Sequence, residues 1–348
     1  MIFRILNQST ANPARSIFRI VDQNTGREID WANRYLDTLA LRRMAPLTIR
    51  GYALSLLHFL RWWESVHHTA AIPSEALSDS ILLEYVRFQS GQQPPPSGST
   101  INQRVAVVDR ALRDLFPHAL PQLAPPLPVR YWRRAPMGLG RPSAALSRVR
   151  VKEEKRTIVP LSVDEVARFW ASFRTSRDLA IVGLMLLQGL RSREVLALNR
   201  EDVSLPEAQI LVRGKGGKPR FLPLAPESVQ LLDHYLRLER PDVAPPPLFL
   251  SLKGGARGQR MTPAGLRSLF RYHRRTTGVE KANPHRFRHT FATDMVRAGV
   301  SLPALMRLMG HANIQTTLVY VEVTPLDVYQ QYARAAAQLI RPVPMRAS

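Results

Sequence analysis

The chain has 348 residues, 45% of them hydrophobic, no cysteine and a formal net charge of +22. Without thiols there are no disulfides or thiolate metal sites, which points to a reducing cytosol. No apolar run approaches a membrane span, and Met1-Ile2-Phe3-Arg4 lacks the charged-then-apolar order of a signal peptide, so secretion and membrane insertion are not expected. The positive excess is more than solubility requires and implies a polyanionic partner, with nucleic acid the leading candidate. The only lysines are Lys152, Lys155, Lys215, Lys218, Lys253 and Lys281, so nearly all basic positions carry the planar guanidinium fork that grips phosphate oxygens in pairs. Codon usage accounts for arginine over lysine; it does not account for the excess of basic over acidic residues.

The length favours two domains, each with enough apolar sequence for a core. Residues 1–29 lack a clear period and read as an amino-terminal arm with a short strand pair. Residues 30–118 read as a small all-helical domain. A helical period runs from Trp31 through Tyr35, Leu36, Leu39 and Leu41, breaks near Pro46, and resumes in a helix opening at Thr48-Ile49-Arg50-Gly51-Tyr52 and continuing to Trp63. Two further helices are predicted at Ser80 to Gln89 and Thr100 to Leu115, separated by a turn-rich stretch containing Pro94-Pro95-Pro96. Residues 119–158 have a linker's composition, rich in proline and in bases that include Arg130, Arg133, Arg134, Arg141, Arg148, Arg150, Lys152, Lys155 and Arg156. That charge suits a tether running along a phosphate backbone.

The second domain, 159–348, opens with a capping box at Ser162 and Glu165 and continues helical from Asp178 to Gln188. Two strands are predicted at Ile210 to Arg213 and Arg220 to Leu222, joined by the tight turn Gly214-Lys215-Gly216-Gly217. Helices follow at Glu227 to Arg240, Thr262 to Thr276, Pro284 to Ala298, Leu302 to Met309, Ile314 to Tyr320 and Leu326 to Leu339. The fold class is thus mainly α, with a small β-sheet in the carboxy-terminal domain.

Chemistry-bearing residues concentrate in this second domain. Arg191, in Gly-Leu-Arg-Ser-Arg-Glu, stands at a helix junction that can hold a phosphate or simply cap a helix and pair with Glu194. Lys215 lies at the hairpin tip, where an ammonium can reach a duplex groove and give a proton to a leaving oxygen. His285 and Arg288 are three apart on one helix face, and Pro284 puts His285 in the first turn, where the helix dipole favours an anion. His311 follows Gly310 at a helix break, and Tyr320 lies nine positions later. A phenol is a poor nucleophile at neutral pH, so it needs a proton acceptor and a charge-neutralised phosphate, which two arginines and two histidines can supply. Each residue alone also has an ordinary structural explanation.

Together these segments resemble the tyrosine recombinase (phage integrase) family, over a match from about Trp31 to the last helix. The motifs are Gly-Leu-Arg-x-x-Glu at Arg191, the hairpin Lys215, His-x-x-Arg-His-Thr at His285 and Arg288, Met-Gly-His at His311 and Thr-Thr-x-x-Tyr at Tyr320. The resemblance implies a helical, SAM-like core-binding domain and an integrase-type catalytic domain that close as a clamp around DNA. It implies that Arg191 and Arg288 bind nonbridging oxygens of the scissile phosphate, Lys215 protonates the leaving 5′ oxygen, His285 acts as general acid/base and His311 hydrogen-bonds the phosphate. Tyr320 becomes a 3′-phosphotyrosyl link that another strand's 5′ hydroxyl reseals. No cofactor and no metal are expected. Residues expected on DNA outside the catalytic set are Thr48, Arg50, Tyr52, Arg133, Arg134, Arg148 and Arg150.

The implied assembly is a homotetramer, or a heterotetramer with a related recombinase, on two DNA sites, with accessory proteins possible and no membrane involved. The implied location is the bacterial cytoplasm, on the nucleoid. Three other readings compete. A type IB-like topoisomerase uses similar chemistry. A non-catalytic DNA-binding regulator predicts an incomplete catalytic set, and none of the six residues is missing. Metal-dependent strand transfer requires an acidic triad, which Asp164, Asp178, Glu194, Asp202 and Asp294 do not persuasively form.

Overall fold

A computed structural model describes residues 2–10, 12–120, 149–153, 158–214, 219–243 and 246–310. The chain divides into two compact units, Met1–Arg133 with Arg141–Arg156 and Arg134–Gly140 with Thr157–Ser348. Among the described residues no helix is long and apolar enough to cross a membrane.

Among the described residues the first unit pairs an antiparallel hairpin, β1 (Phe3–Asn7) with β2 (Phe18–Asp22), with four α-helices: α1 (Asp30–Leu41), α2 (Pro46–His67), α3 (Asp79–Ser90) and α4 (Gly98–Leu115). The arm expected over 1–29 carries the expected strand pair, and the described part of it packs into the unit: Phe3 and Ile20 are buried in the same core as Tyr35, Phe59 and Trp63. The reason is that every residue of β2 is buried, a pattern that shows no alternation in the sequence. Pro46 is the first residue of α2, where its missing N–H costs nothing, so the proline predicted to break the helix opens it. The Asn102 side chain of α4 clamps the backbone of Val151, accepting from its N–H at 2.8 Å and donating to its carbonyl at 2.9 Å. This docks the end of the basic segment onto the helices. Arg150 remains exposed and pairs with Glu153 at 3.4 Å. Residues 121–148 and 154–157 of that segment lie outside the described residues.

The second unit contains α5 (Val163–Ala171), α6 (Ser176–Leu186), α7 (Ser192–Ala197), β3 (Val203–Ser204), β4 (Gln209–Arg213), β5 (Pro219–Pro223), α8 (Pro226–His234), α9 (Pro263–Thr277), α10 (Pro284–Arg297) and α11 (Leu302–Met309). The predicted capping box forms at α5, with Ser162 Oγ accepting from the Glu165 N–H at 3.1 Å and Glu165 Oε2 accepting from the Ser162 N–H at 2.9 Å. The expected single helix over 227–240 ends as α8 and continues as a wide π turn over Tyr235–Glu239. β3 had no signal in the sequence, because it is two residues long. The sheet is antiparallel in the order β3-β4-β5, with Ile210 opposite Leu222 and Val212 opposite Arg220. Ile210, Val212 and Leu222 form its buried face. α10 is fixed in its first turn by Phe287, whose ring lies 5.2 Å from Phe169 and 5.8 Å from Phe270. It is fixed near its middle by Thr290, whose hydroxyl accepts from the Leu161 N–H at 2.9 Å.

In the first unit His58 of α2 joins α3 to α4. Its Nε2 lies 3.0 Å from Arg104 Nη1 and its Nδ1 lies 2.7 Å from the Tyr85 hydroxyl. A guanidinium only donates, so Nε2 accepts and Nδ1 carries the proton. Burial, aided by the charges of Arg104 and Arg61, pushes the imidazole down to about 4. The folded ring therefore stays neutral while an unfolded one protonates near its ordinary 6.5, so its contribution is whole above that value and is lost as pH falls towards 4. His58→Gln is expected to lower the urea midpoint of the full chain at pH 7, and its deficit relative to the unsubstituted chain should shrink between pH 6.5 and pH 4.5; a deficit that does not change with pH would refute the neutral-ring assignment.

Candidate active site

The site is built where α6 stops. Gly189 has φ +66° and lies inside the wide turn that ends α6, closed by the Leu190 N–H on the Leu184 carbonyl at 3.0 Å. A Cβ at Gly189 would fall 2.4 Å from the Phe291 ring and 3.0 Å from the Met309 sulfur, so glycine is required both for the backbone conformation and for the close approach of α10 and α11. The chain then reverses into α7 with Arg191 at the cap, and the Arg191 N–H donates to Glu194 Oε2 at 2.9 Å.

Glu194 is buried and is the centre of the cluster. Arg220 of β5 forks onto it, Nη1 to Oε1 at 3.0 Å and Nη2 to Oε2 at 3.1 Å. Arg191 Nη1 reaches Oε1 at 3.0 Å, and Arg288 Nη1 stands 3.8 Å from Oε2. Burial alone would raise this carboxyl, but the Arg220 fork, the Arg191 N–H and the two guanidinium charges outweigh it and hold it below the usual carboxylate range.

The same guanidiniums reach the carboxy end of α11. Arg191 Nη1 and Arg288 Nη2 both donate to the Met309 carbonyl, at 3.2 Å and 2.6 Å, and Arg191 Nη2 reaches the Gly310 carbonyl at 3.4 Å. Arg288 also donates to the Gly189 carbonyl, and Arg220 Nε to the Leu308 carbonyl at 3.2 Å. A helix terminus whose last carbonyls lack intrahelical partners is thereby satisfied by cations. Arg191 is the most accessible of the three, its side chain 34% exposed, against 15% for Arg220 and 5% for Arg288. His285 lies exposed in the first turn of α10, where Asn283 Oδ1 caps the helix by accepting from the Arg286 N–H at 3.0 Å. His289 faces away into the packing, its Nδ1 3.4 Å from the Thr293 hydroxyl.

Of the six residues expected to be catalytic, the structure brings Arg191 and Arg288 together and places His285 on the helix that carries Arg288. Lys215, His311 and Tyr320 lie outside the described residues, as do Arg133, Arg134 and Arg148 and the helices expected at 314–320 and 326–339. Of the remaining DNA-facing expectations, Arg50 is exposed, Thr48 is half-buried, and the Tyr52 hydroxyl accepts from Arg110 at 3.0 Å. Two members of the cluster escaped the sequence reading. In the sequence Glu194 stands out as a partner of Arg191 and as a rejected metal ligand, with nothing to mark it as the centre of the cluster. Arg220 was passed over, although its two-residue spacing from buried Leu222 puts it on the inner face of the sheet, leaving Phe221 outside and 70% exposed.

Comparison with known proteins gives a consistent result. A sequence profile described as the Phage integrase family matches residues 160–326. The tyrosine recombinase XerC of Thermodesulfovibrio yellowstonii is 31% identical over 207 residues, 56% of this chain and 67% of that protein. The XerC of Alcanivorax borkumensis is 28% identical over 322 residues, 90% of this chain and 95% of its own length. Among solved structures, the XerH site-specific recombinase bound to its difH substrate after cleavage matches with a TM-score of 0.59 at 21% identity, covering 89% of this chain and 84% of that one, which supports the fold.

Two outcomes check the site's construction. Gly189→Ala is expected to destabilise the chain by about 2 kcal/mol or more, from the left-handed backbone and the overlap with Phe291, read by urea denaturation. Because Glu194 ionises more easily folded than unfolded, its contribution is present above the ordinary glutamate value of 4.5 and is lost as pH falls below it. Glu194→Gln should therefore flatten the acid limb of stability against pH, and an unchanged limb would show that the carboxylate is not held by the arginines.

Proposed function

The chain belongs to the phage integrase family of tyrosine recombinases, enzymes that cut and rejoin DNA at specific sites, and on that premise we propose that its nucleophile is Tyr320 and its phosphate-activating groups are Arg191 and Arg288. The observation that supports this most directly is that Arg191 and Arg288 donate to a single oxygen, the Met309 carbonyl. Two guanidiniums that converge on one acceptor are arranged to converge on a nonbridging phosphate oxygen in its place.

The step balances without an external energy source. The Tyr320 oxygen forms a bond to phosphorus as the bond to the 5′ oxygen breaks. The phenolic proton passes to a base, for which His285 is proposed, and the departing 5′ oxygen takes a proton from Lys215. The resulting 3′-phosphotyrosyl ester keeps the phosphoester energy, so the 5′ hydroxyl of a second strand reverses the step and frees the tyrosine. Charge accumulates on the nonbridging oxygens in the transition state, where preorganised donors stabilise it most. His311, next in the chain after the turn that Arg191 and Arg220 hold, is proposed to add a hydrogen bond to the phosphate.

DNA is the partner, and the exposed Arg50 and Arg150, with Thr48, are proposed contacts to its backbone; Arg133, Arg134 and Arg148 are proposed on charge alone. Assembly as a tetramer on two duplexes and a cytoplasmic, nucleoid-bound location are likewise proposed, the first from the family's strand exchange and the second from the net charge of +22.

The test is a nicked suicide duplex drawn from the DNA flanking the gene, with the covalent adduct read on a denaturing gel. Tyr320→Phe should abolish the adduct while leaving DNA affinity within about threefold; an undiminished adduct would move the nucleophile to Tyr329 or Tyr332. The adduct should form in EDTA, and a strict need for a divalent ion would overturn the mechanism. Arg288→Met should slow cleavage by about a hundredfold or more with a far smaller loss of binding. Equal losses would make it an ordinary phosphate clamp.

A further inference from the structure

We propose that Arg220 is a positioning residue for the cleavage reaction: by occupying both oxygens of Glu194 it keeps Arg191 and Arg288 available to the phosphate, and by holding the Leu308 carbonyl it fixes the turn from which the chain runs on to His311. The proposal rests on the reading of Arg191 and Arg288 given above.

Three guanidiniums crowd one buried carboxylate, and a carboxylate presents only two oxygens. Arg220 takes both in a fork of 3.0 Å and 3.1 Å. Arg191 is left with one side-chain contact to it, and Arg288 with an approach of 3.8 Å, beyond hydrogen-bond range. Both therefore turn other N–H groups towards backbone carbonyls, which are neutral acceptors and yield to a charged phosphate far more readily than a carboxylate does. Were Arg220 absent, the vacated lone pairs of Glu194 would draw in the two neighbouring guanidiniums, and a guanidinium that gives both Nη groups to a buried carboxylate, where Arg191 now gives one, is lost to catalysis.

The position is otherwise unfavourable, which argues for a demand beyond folding. Strand β5 turns a cation inward at Arg220 and an aromatic ring outward at Phe221. That is the reverse of what core packing favours, and departures of this kind mark functional sites. The turn is shaped around the same side chain. Gly310 has φ +61°, and a Cβ there would fall 2.8 Å from Arg220 Nη1 and 2.9 Å from its Cζ, so the backbone lies directly against the guanidinium. Arg220 Nε holds Leu308 at 3.2 Å two residues earlier. One side chain thus links the strand that follows Lys215, the carboxylate beneath Arg191 and Arg288, and the turn before His311.

The experiment is single-turnover cleavage by the full chain on the nicked duplex, run in parallel on an ordinary phosphodiester and on the same duplex with a methylphosphonate at the scissile position. A methylphosphonate carries no negative charge and asks less of the arginines. Arg220→Met is expected to slow cleavage of the phosphodiester by about thirtyfold or more with DNA affinity within about threefold, and to slow the methylphosphonate by less than about a third of that factor. Equal slowing on both substrates would mean that Arg220 serves folding alone and would overturn the proposal. Arg220→Lys keeps the charge without the fork and should remain close to Arg220→Met; restoration of the full rate by lysine would also overturn it. If Arg220→Met does not fold, Arg220→Lys carries the two-substrate comparison by the same criteria. An unsubstituted chain that forms no adduct would defeat the Tyr320 reading and this proposal with it, whereas normal cleavage by the Arg220 variants defeats this proposal alone.

Discussion

A buried carboxylate surrounded by more guanidiniums than it can neutralise is the constraint from which the second unit is organised. Glu194 pins Arg191 through its backbone N–H and its side chain, and pins Arg220 through a fork. Removing one partner from such a group leaves an uncompensated buried charge, which is among the costliest local changes a protein can suffer. Five elements meet there because of it: the end of α6, the cap of α7, the inner face of β5, the side of α10 and the end of α11. The excess positive charge is then stored rather than cancelled, directed at carbonyl oxygens that have no charge of their own. A cluster of this kind is poised for an anion without having to unfold anything to receive it.

The supporting structure is ordinary in its materials and specific in its joints. The helices start on Ser, Thr or Asn side chains at α5, α6, α9, α10 and α11, each accepting from a backbone N–H in the first turn. Phe287 of α10 packs its ring against Phe169 and Phe270, which stack on each other, and this holds the helix's register, so that Arg288 emerges beside Gly189. Gly189 then allows that approach, since any side chain there would collide with Phe291.

Much of this was legible in the sequence because the relevant signals are local. Capping residues, the 3.6-residue period and the glycine-rich turn place α2 to α6, β4, β5 and α9 to α11 to within a few residues. What was not legible depends on tertiary burial. β2 is buried on both faces and so shows no alternation, which hid its place in the core. The π turn over Tyr235–Glu239 interrupts a helix whose composition gives no warning. At the site, Arg191 and Arg288 stood out through their motifs, while Arg220 looked like one basic residue among many. Its inward orientation follows only from the strand register, and its pairing with Glu194 links parts of the chain that no local pattern connects.

The carbonyls at the end of α11 carry a thermodynamic corollary. Under the proposed reading, an arriving backbone phosphate finds guanidinium N–H groups that already have acceptors, and it exchanges one oxygen for another instead of adding new bonds. Binding at this point then yields little ground-state affinity, while the gain appears as charge builds on phosphorus. Grip on the duplex is accordingly the work of the peripheral arginines, and discrimination between ground and transition state the work of the ones at the reaction centre.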